Sequence, residues 1–361
     1  MTEKVRVGII GTSWWTEMMF LSSFKSHSSA EILAICGRNR NRAEEMAKKY
    51  DIPQVFTDYR TLLEQDNLDA VVVATPDDLH FPMTMDALDA GLHVLCEKPM
   101  ALNAQHAREM YDKAEAVGVK HMVLFTWRWQ PHFRYLKQLV DDGYIGRCYQ
   151  AQFSFVGGFG RHSEYRWRYD GQRSNGVVSD LGAHMIDFAR WYVGDIRKVS
   201  AHLATFVDRP GADGQPSIPT NESAFVTLQF DNEAQAMVHA SVLAHQADRA
   251  ASISIRLHGD AGTLEAEQIF FGAEAGAVIR GARQGEEQFG LLTVPENLAK
   301  NLDGNDIFDP YKKQAVGPRL FIDAIINEQP MTPNFYDGLK VQEVIDAAIE
   351  AHRKECWVSL T

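Results

Sequence analysis

The first third of the chain alternates short, continuously apolar runs with amphipathic helical patterns. A run without polar alternation is typical of a parallel strand that helices cover on both faces. Strand–helix alternation at this spacing predicts a doubly wound α/β domain of the Rossmann type over residues 1–126. The predicted strands are Val5–Ile10, Ile32–Cys36, Ala70–Ala74, Leu92–Cys96 and Lys120–Phe125.

From about residue 150 the pattern changes to strict apolar–polar alternation, which is typical of half-buried antiparallel strands. The pattern predicts an α+β second domain over 127–361, with a large, mostly antiparallel open sheet. The final helical pattern, Tyr336–His352, is expected to pack on either domain, and Pro210–Pro219 is predicted to be an exposed loop. The predicted hairpin strands are Ala224–Phe230, Gln235–Val242, Ile253–His258 and Thr263–Ala266.

Composition narrows the class of protein. The 361 residues are 45% hydrophobic and 23% charged, which fits a globular protein of about two domains. The net charge of −12 argues against binding nucleic acid or an anionic membrane through overall charge, and no apolar run is long enough to span a membrane. The four cysteines form no CxxC pair, so neither a zinc ribbon nor a disulfide framework is expected, and we expect a cytoplasmic protein.

The candidate phosphate loop, Gly11–Thr16, keeps only the first glycine of the dinucleotide-binding pattern. That pattern has glycines at its first, third and sixth positions, and Ser13 and Thr16 stand at the last two. The tight turn at the first glycine and the helix N-terminus behind it still suit an anion. Two interpretations stay open here: a pyrophosphate-binding loop, or a plain strand–helix turn with both tryptophans in the core.

The end of the second predicted strand indicates which cofactor would bind. An NAD site usually has an acidic residue there, about 20 residues beyond the loop, and none follows Cys36. Arg38 and Arg42 suit the 2′-phosphate of NADP instead, with NAD as the second possibility. The alternative is a solvated first helical turn in which Arg40 pairs with Glu44.

The fourth predicted strand is followed directly by Glu97-Lys98-Pro99, so Lys98 lies at the carboxyl end of the sheet. Ligands of doubly wound sheets bind at that edge. An ammonium group there can stabilise negative charge on the oxygen of a reacting alcohol. The alternative is a loop lysine that pairs with Glu97.

A helical pattern over Ser179–Trp191 places Asp180, His184 and Asp187 at positions i, i+4 and i+7, on one polar stripe. A histidine flanked by carboxylates has the surroundings that a general acid or base requires. Asp180 as a simple N-cap and His184 as a structural histidine stay open as alternatives. Two carboxylates and one histidine also suit a metal, but no further ligand pair is apparent, and no metal site is predicted.

Taken together and in order, these motifs resemble the Gfo/Idh/MocA oxidoreductase family, over essentially the whole chain. The motifs that carry the resemblance are the βαβ start, Ala74-Thr75-Pro76-Asp77-Asp78-Leu79-His80, Glu97-Lys98-Pro99, Trp167-Arg168, Asp180-x-Gly182-x-His184-x-x-Asp187 and Gly259-Asp260-Ala261-Gly262-Thr263.

The resemblance implies site residues. It implies that Lys98 contacts the reacting hydroxyl, that His184 is the acid/base and that Asp180 assists in substrate binding and proton transfer. Arg128 and Tyr165 are further candidates for substrate contact, although the segment around Arg128 equally suits packing between domains. The cofactor contacts expected from the motifs and the resemblance are Gly11, Thr12, Ser13, Trp14, Arg38, Arg42, Thr75, Pro76, His80, Glu97, Lys98, Trp167 and Arg168.

The resemblance also implies a reaction and an assembly. We expect an NAD(P)-dependent oxidoreductase, preferring NADP, that transfers hydride between nicotinamide and a sugar, polyol or related hydroxy compound. Members of the family commonly form dimers or tetramers through the open face of the second-domain sheet. Two alternatives remain: a glycoside-cleaving enzyme that oxidises its substrate transiently with bound NAD, and a non-catalytic sensor of NADP or sugar.

Overall fold

The computed structural model describes residues 4–212, 214, 218–304 and 306–360. The chain divides into two compact units, one made of Met1–Thr126 and Asp306–Lys340 and the other of Trp127–Asn305 and Val341–Thr361. The predicted second domain, 127–361, is therefore shared between both units in this division. Four positions of the predicted loop Pro210–Pro219, namely 213 and 215–217, lie outside the described residues.

The first unit contains a six-stranded parallel sheet in the order β3-β2-β1-β4-β5-β6. This order is that of a Rossmann fold, as predicted. The central strands are apolar on both faces, and every residue of β4 is buried, because helices cover both sides of the sheet. The strands are β1 (Val5–Ile10), β2 (Ala30–Cys36), β3 (Gln54–Phe56), β4 (Ala70–Val73), β5 (His93–Glu97) and β6 (His121–Leu124).

Helices connect these strands, and several begin at the capping residue that their sequence supplies. Asn39 and Asn103 each accept a hydrogen bond from a backbone N–H in the first turn of the helix that follows. The helices are α1 (Trp14–Thr16), α2 (Ser22–Lys25), α3 (Arg40–Tyr50), α4 (Tyr59–Leu63), α5 (His80–Asp89) and α6 (Ala104–Val117), with a π-helical turn over Glu17–Leu21 and 3₁₀ turns over Asp77–Leu79 and Thr126–Trp129.

The second unit contains a nine-stranded sheet in the order β14-β13-β12-β11-β7-β10-β9-β8-β15. Every neighbouring pair is antiparallel except β7 and β10, which confirms the mostly antiparallel sheet. The strands are β7 (Cys148–Gly157), β8 (Ile196–Ala204), β9 (Ser223–Phe230), β10 (Gln235–Ser241), β11 (Ala251–Gly259), β12 (Gly262–Phe270), β13 (Gly276–Arg283), β14 (Gly290–Leu291) and β15 (Val358–Ser359).

The remaining helices include the segment that carries the predicted acid/base. The chain there forms two helices with Leu181 between them, where one continuous helix over Ser179–Trp191 was predicted. Glycine at position 182 is a poor helix former, which is consistent with the break at this point. These helices are α7 (Pro131–Asp141), α8 (Val177–Asp180), α9 (Gly182–Val193), α10 (Glu296–Ala299), α11 (Asp309–Lys313), α12 (Pro318–Ile326) and α13 (Phe335–Lys354), with a 3₁₀ turn over Trp167–Tyr169.

The two faces of the large sheet differ. Helix α9 packs on β7 and β10, against the side chains that alternate inward, such as Phe153 and Val238. The opposite face of the central strands carries exposed Phe225 and Met237. No helix within the described residues is both long and apolar enough to cross a membrane.

Candidate functional site

The loop after β1 makes a tight turn although serine and threonine stand at the second and third glycine positions of the dinucleotide-binding pattern. Gly11 has φ +129°, and a Cβ there would lie 2.2 Å from the carbonyl oxygen of Ala74, so only glycine fits. The Oγ of Ser13 accepts a hydrogen bond from the N–H of Thr16 at 3.1 Å and caps α1. The hydroxyls of Ser13 and Thr16 lie 3.0 Å apart. The turn therefore survives with serine and threonine at the replaced positions.

The loop after β2 packs closely on the phosphate loop. A Cβ on Gly37 would lie 2.4 Å from Cγ2 of Thr12 and 2.6 Å from its Oγ1, so this approach requires glycine. Residues 36–39 contain no acidic side chain, and Arg38 is exposed. The end of β2 thus offers no carboxylate to bind the hydroxyls of a ribose.

The other two arginines of this region already have carboxylate partners. Arg40 pairs with Glu44 at 3.2 Å, as the alternative interpretation of this turn predicts. Arg42 donates from Nη2 to Oε2 of Glu17 at 2.7 Å and from Nη1 to Oε2 of Glu45 at 2.9 Å. The part of Arg42 in holding a 2′-phosphate stays a prediction.

His80 joins the loops that follow β4 and β5. Its Nε2 lies 2.9 Å from the carbonyl oxygen of Thr75, and its Nδ1 lies 2.7 Å from that of Pro99. Burial lowers the pKa of His80, against the opposing effect of the two carbonyl groups. Thr75 is followed by Pro76. Its Oγ1 is buried and has no hydrogen-bond partner among the described residues, so it is able to bond a ligand.

Glu97 is a buried carboxylate beside Lys98. It is only 6% exposed, and its Oε1 accepts a hydrogen bond from the indole Nε1 of Trp15 at 2.6 Å. Its Oε2 accepts a hydrogen bond from the backbone N–H of Lys98 at 3.1 Å. Burial raises the pKa of Glu97, while Lys98 and Trp15 act in the opposite direction. Trp15 also makes an edge contact with Phe308, whereas Trp14 is 62% exposed.

In the second unit, Asp180 is the last residue of α8 and faces Arg168. The Nε of Arg168 lies 3.4 Å from Oδ2 of Asp180, and its guanidinium lies over the ring of Trp167 at 4.2 Å. Burial raises the pKa of the neighbouring Tyr169 to about 12, and the charge of Asp180 adds to this rise. Tyr165 donates a hydrogen bond to Asp170 at 3.1 Å. The structure thus gives Arg168 a direct contact with the predicted catalytic carboxylate.

His184 lies in an aromatic pocket near the start of α9. It is buried, and its ring centroid lies 5.9 Å from that of Trp127 and 6.1 Å from that of Phe155. The ring centroid of Trp127 lies 4.7 Å from that of Phe270, and its buried Nε1 has no hydrogen-bond partner in the part of the chain that the structure describes. The arrangement combines an imidazole with apolar walls and one unused N–H donor.

Asp187, the third member of the predicted polar stripe, bonds Arg128 instead of a ligand group. Nε and Nη2 of Arg128 donate to the two carboxylate oxygens at 2.7 and 2.6 Å, and both side chains are buried. The guanidinium also lies 5.2 Å from the ring of Trp191. The pair anchors the helix that carries His184, and a substrate contact by Arg128 stays a prediction.

Sequence reasoning missed a second buried ion pair near this region. Glu222 is fully buried, pairs with Arg209 and accepts the backbone N–H groups of residues 206 and 207. Arg209 donates to the carbonyl oxygen of His162 and lies over the ring of Tyr169. The available signal was an acidic residue directly before the alternating pattern of β9. Within the described part of the chain, no group of three or more His, Cys, Asp or Glu side chains forms a metal site.

Comparisons with known proteins agree with this architecture. A family model described as "Oxidoreductase family, NAD-binding Rossmann fold" matches residues 5–125. A second, described as "GFO/IDH/MocA C-terminal domain", matches residues 133–265. The two models belong to one family and follow each other along the chain.

Named relatives match over most of the chain. The levoglucosan dehydrogenase of Pseudarthrobacter phenanthrenivorans is 27% identical over 362 residues, covering 90% of this chain and 88% of the relative. The D-glucoside 3-dehydrogenase of Escherichia coli is 28% identical over 239 residues, 64% of this chain and 68% of the relative. The NADP(+)-dependent scyllo-inositol 2-dehydrogenase of Bacillus subtilis is 29% identical over 243 residues, 66% and 70% of the two chains.

Solved structures show the same fold. A levoglucosan dehydrogenase in complex with NADH and levoglucosan superposes with a TM-score of 0.89 at 24% identity, covering 99% of each chain. With both family models matched in order and the fold shared across the whole length, the chain belongs to the Gfo/Idh/MocA family of NAD-binding oxidoreductases.

Proposed function

We propose that this enzyme oxidises or reduces one hydroxyl carbon of a cyclic sugar or polyol, with a nicotinamide cofactor and the residues Lys98, Asp180 and His184. The observation that carries the proposal is His184 between Trp127 and Phe155, close in sequence to the carboxylate of Asp180. Relatives named for levoglucosan, D-glucosides and scyllo-inositol support a cyclic polyhydroxy substrate.

In the proposed chemistry, one side chain acts on the oxygen of the substrate hydroxyl and another on its proton. A bound nicotinamide accepts hydride from the carbon or returns it. The ammonium group of Lys98 stabilises negative charge on the substrate oxygen, which lowers the pKa of the hydroxyl. His184 takes the hydroxyl proton as a general base, and gives it back in reduction. Asp180 orients the imidazole or the substrate, and its Oδ2 lies 3.4 Å from Nε of Arg168.

The surroundings of Lys98 fit a fixed position at the edge of the sheet. Glu97 accepts the backbone N–H of Lys98, and His80 bonds the carbonyl of the next residue, Pro99. The same histidine contacts the carbonyl of Thr75, whose buried hydroxyl has no partner within the described ranges. We infer that these contacts hold the backbone for the nicotinamide half of the cofactor, and that Thr75 bonds it.

The aromatic pocket supports a ring-shaped substrate. Trp127, Phe155 and Phe270 pack on one another, and the rings of Trp127 and Phe155 also contact His184. The C–H face of a pyranose or cyclitol packs well on such rings, and a buried indole N–H without a partner gains a hydrogen bond from a sugar oxygen. We infer that Trp127 contacts the substrate, and that Tyr165 stands farther out, at a half-buried position held by Asp170.

We propose that both NAD(H) and NADP(H) bind, with a preference for NADP(H) that Arg38 provides. Arg38 is exposed, and residues 36–39 at the end of this strand include no carboxylate that would repel a 2′-phosphate. The relatives include one named for NADP(+) and a solved structure with NADH. We also propose a cytoplasmic location, because the four cysteines are free thiols.

The proposed function is tested by turnover with a sugar panel and by the variant Lys98→Met. The panel of levoglucosan, glucosides and inositols is assayed with NAD⁺ and NADP⁺ by the absorbance of the reduced nicotinamide. Lys98→Met should lower kcat/KM at least roughly a hundredfold, because it removes a charge that acts on the reacting oxygen. Its affinity for the reduced cofactor should stay near that of the unaltered enzyme.

Lys113→Met is the matched control, since Lys113 pairs with Asp89 on the surface of the same unit. It should keep full turnover. Normal turnover by Lys98→Met would overturn the assignment of Lys98. Cleavage of a chromogenic glycoside without net cofactor reduction would favour a glycoside-cleaving enzyme, and cofactor binding without any turnover would favour a sensor.

A further inference from the structure

We propose that Glu17 sets the cofactor selectivity of this enzyme by holding Arg42 away from the 2′-phosphate of NADP(H). The inference rests on the proposed function, since it concerns which nicotinamide cofactor the site accepts. Glu17 lies in the π-helical turn behind the phosphate loop, and Arg42 lies in the first turn of α3, behind Arg38. Both belong to the Rossmann unit.

The contact between the two side chains is direct and partly shielded from water. Nη2 of Arg42 lies 2.7 Å from Oε2 of Glu17, and the Glu17 side chain is 12% exposed. Nζ of Lys49 lies 2.6 Å from the other oxygen, and the hydroxyl of Tyr50 lies 3.5 Å from that same oxygen. The hydrogen bond from Lys49, together with that from Arg42, lowers the pKa of Glu17, so the carboxylate is charged at neutral pH.

The position of Arg42 explains why a carboxylate stabilises it. The backbone N–H of Arg42 donates to Oδ1 of Asn39, which places it in the N-terminal turn of α3. The partial positive charge of a helix N-terminus disfavours a cation there and favours an anion. In the absence of a phosphate, Glu17 is the anion that offsets this cost.

We expect a 2′-phosphate bound at Arg38 to interact with the ion pair between Arg42 and Glu17, whereas the uncharged 2′-hydroxyl of NAD(H) does not. To bind Arg42, the phosphate must replace Glu17 as its partner, so the ion pair between Arg42 and Glu17 has to break first. NAD(H) binding leaves the pair intact. Glu17 therefore lowers the affinity for NADP(H) selectively and lets NAD(H) compete.

Glu17→Gln tests the proposal by direct titration of the whole protein with NADPH and NADH. The neutral amide leaves Arg42 paired with the exposed carboxylate of Glu45 and makes its Nη2 available to a phosphate. The dissociation constant for NADPH should therefore fall roughly tenfold, the gain expected from one charge-assisted hydrogen bond. The dissociation constant for NADH should stay the same. The gain should shrink at high salt, and the double variant Glu17→Gln with Arg42→Gln should lose it.

Glu45→Gln is the matched control, because Glu45 is the other carboxylate partner of Arg42 but is 68% exposed. It should change the ratio of the two dissociation constants little. An unchanged ratio in Glu17→Gln, or an equal gain for both cofactors, would overturn the proposal. Failure of the unaltered protein to bind either cofactor would instead overturn the proposed function.

A second comparison does not depend on how Glu17→Gln folds. In the otherwise unaltered protein, Arg38→Gln should raise the dissociation constant for NADPH alone, whereas Arg42→Gln should leave the NADPH-to-NADH ratio nearly unchanged, since Arg42 is already bound to Glu17. A loss of NADPH affinity in Arg42→Gln as large as that in Arg38→Gln would show that Arg42 binds the phosphate directly. That result would overturn the proposal.

Discussion

At the scale of single residues, Trp15 connects the phosphate loop to the segment that carries Lys98. Its indole N–H donates to the buried carboxylate of Glu97, whose other oxygen accepts the N–H of Lys98. A buried carboxylate is costly unless donors surround it, so this indole reduces the free-energy cost of keeping Glu97 ionised. Trp15 therefore acts as a hydrogen-bond donor to a buried carboxylate, a role that the glycine pattern of this loop does not predict.

Trp15→Phe should lower the free energy of unfolding of the first unit by about 1–3 kcal/mol, because it leaves the buried Glu97 carboxylate without one donor while keeping an aromatic ring. The same change in a Glu97→Gln background should cost less, since the amide carries no charge. Urea unfolding of the four proteins, followed by circular dichroism, measures this coupling between the two positions.

Trp14→Phe is the matched control for the Trp15→Phe substitution. Trp14 is the neighbouring tryptophan of the same loop, but it is 62% exposed and makes no contact with Glu97 that the structure describes. Its replacement should leave the unfolding midpoint nearly unchanged. Equal effects of the two substitutions would show that ring packing, and not the indole hydrogen bond, supports the loop.

At the scale of elements, the position of His184 on helix α9 depends on an ion pair that Asp187 makes one turn further along the helix. Asp187 and Arg128 form a buried, two-point ion pair between α9 and the 3₁₀ turn over Thr126–Trp129. The sequence pattern placed Asp187 beside His184 on one stripe, but its partner comes from a distant segment. The orientation of the helix therefore depends on a contact that helical periodicity cannot predict.

Asp187→Asn should destabilise the second unit by about 3–5 kcal/mol, because it leaves the Arg128 charge buried without a counter-charge. The double change Arg128→Met with Asp187→Leu should cost less than either single change, as it removes both charges. Urea unfolding gives these values, and the KM for sugar reports whether His184 has moved.

The surface pair Arg40–Glu44 provides the comparison, since both of its side chains are more than half exposed. Arg40→Gln should change the unfolding free energy by at most about 0.5 kcal/mol, as expected for an exposed i,i+4 pair. If Asp187→Asn behaves like this surface substitution, the buried pair does not anchor α9.

The sequence predicted those elements whose signal is local. The strand Val5–Ile10 has the predicted bounds, since it combines a continuous apolar run with a clear end at Gly11. The three-residue strand β3 was missed because it is too short to show a period. The partners of Arg42 and Arg128 were missed for another reason: each is brought close by the fold from a segment 25 or 59 residues away.

At the scale of the whole molecule, the outer face of the large sheet suggests how copies of the chain associate. On the central strands β7, β9 and β10, the side chains opposite α9 are uncharged, and His239 stacks on Phe225 at 4.5 Å. Charged pairs such as Arg256–Glu265 lie on the flanking strands. An apolar and uncharged centre with a charged rim is typical of a protein interface. We propose that two copies pair through this face, in a dimer or in a tetramer built from such dimers.

Met237→Glu should separate the copies, because Met237 lies in the middle of this face and a buried glutamate would lose its hydration without a partner. Light scattering during size exclusion should give the mass of a dimer or tetramer for the unaltered protein and of a monomer for the variant. Ile326→Glu is matched in exposure, since both residues are 42% exposed, but it lies on α12 of the first unit. It should leave the assembly intact. A monomeric unaltered protein, or a Met237→Glu variant with unchanged mass, would show that this face does not pair copies of the chain.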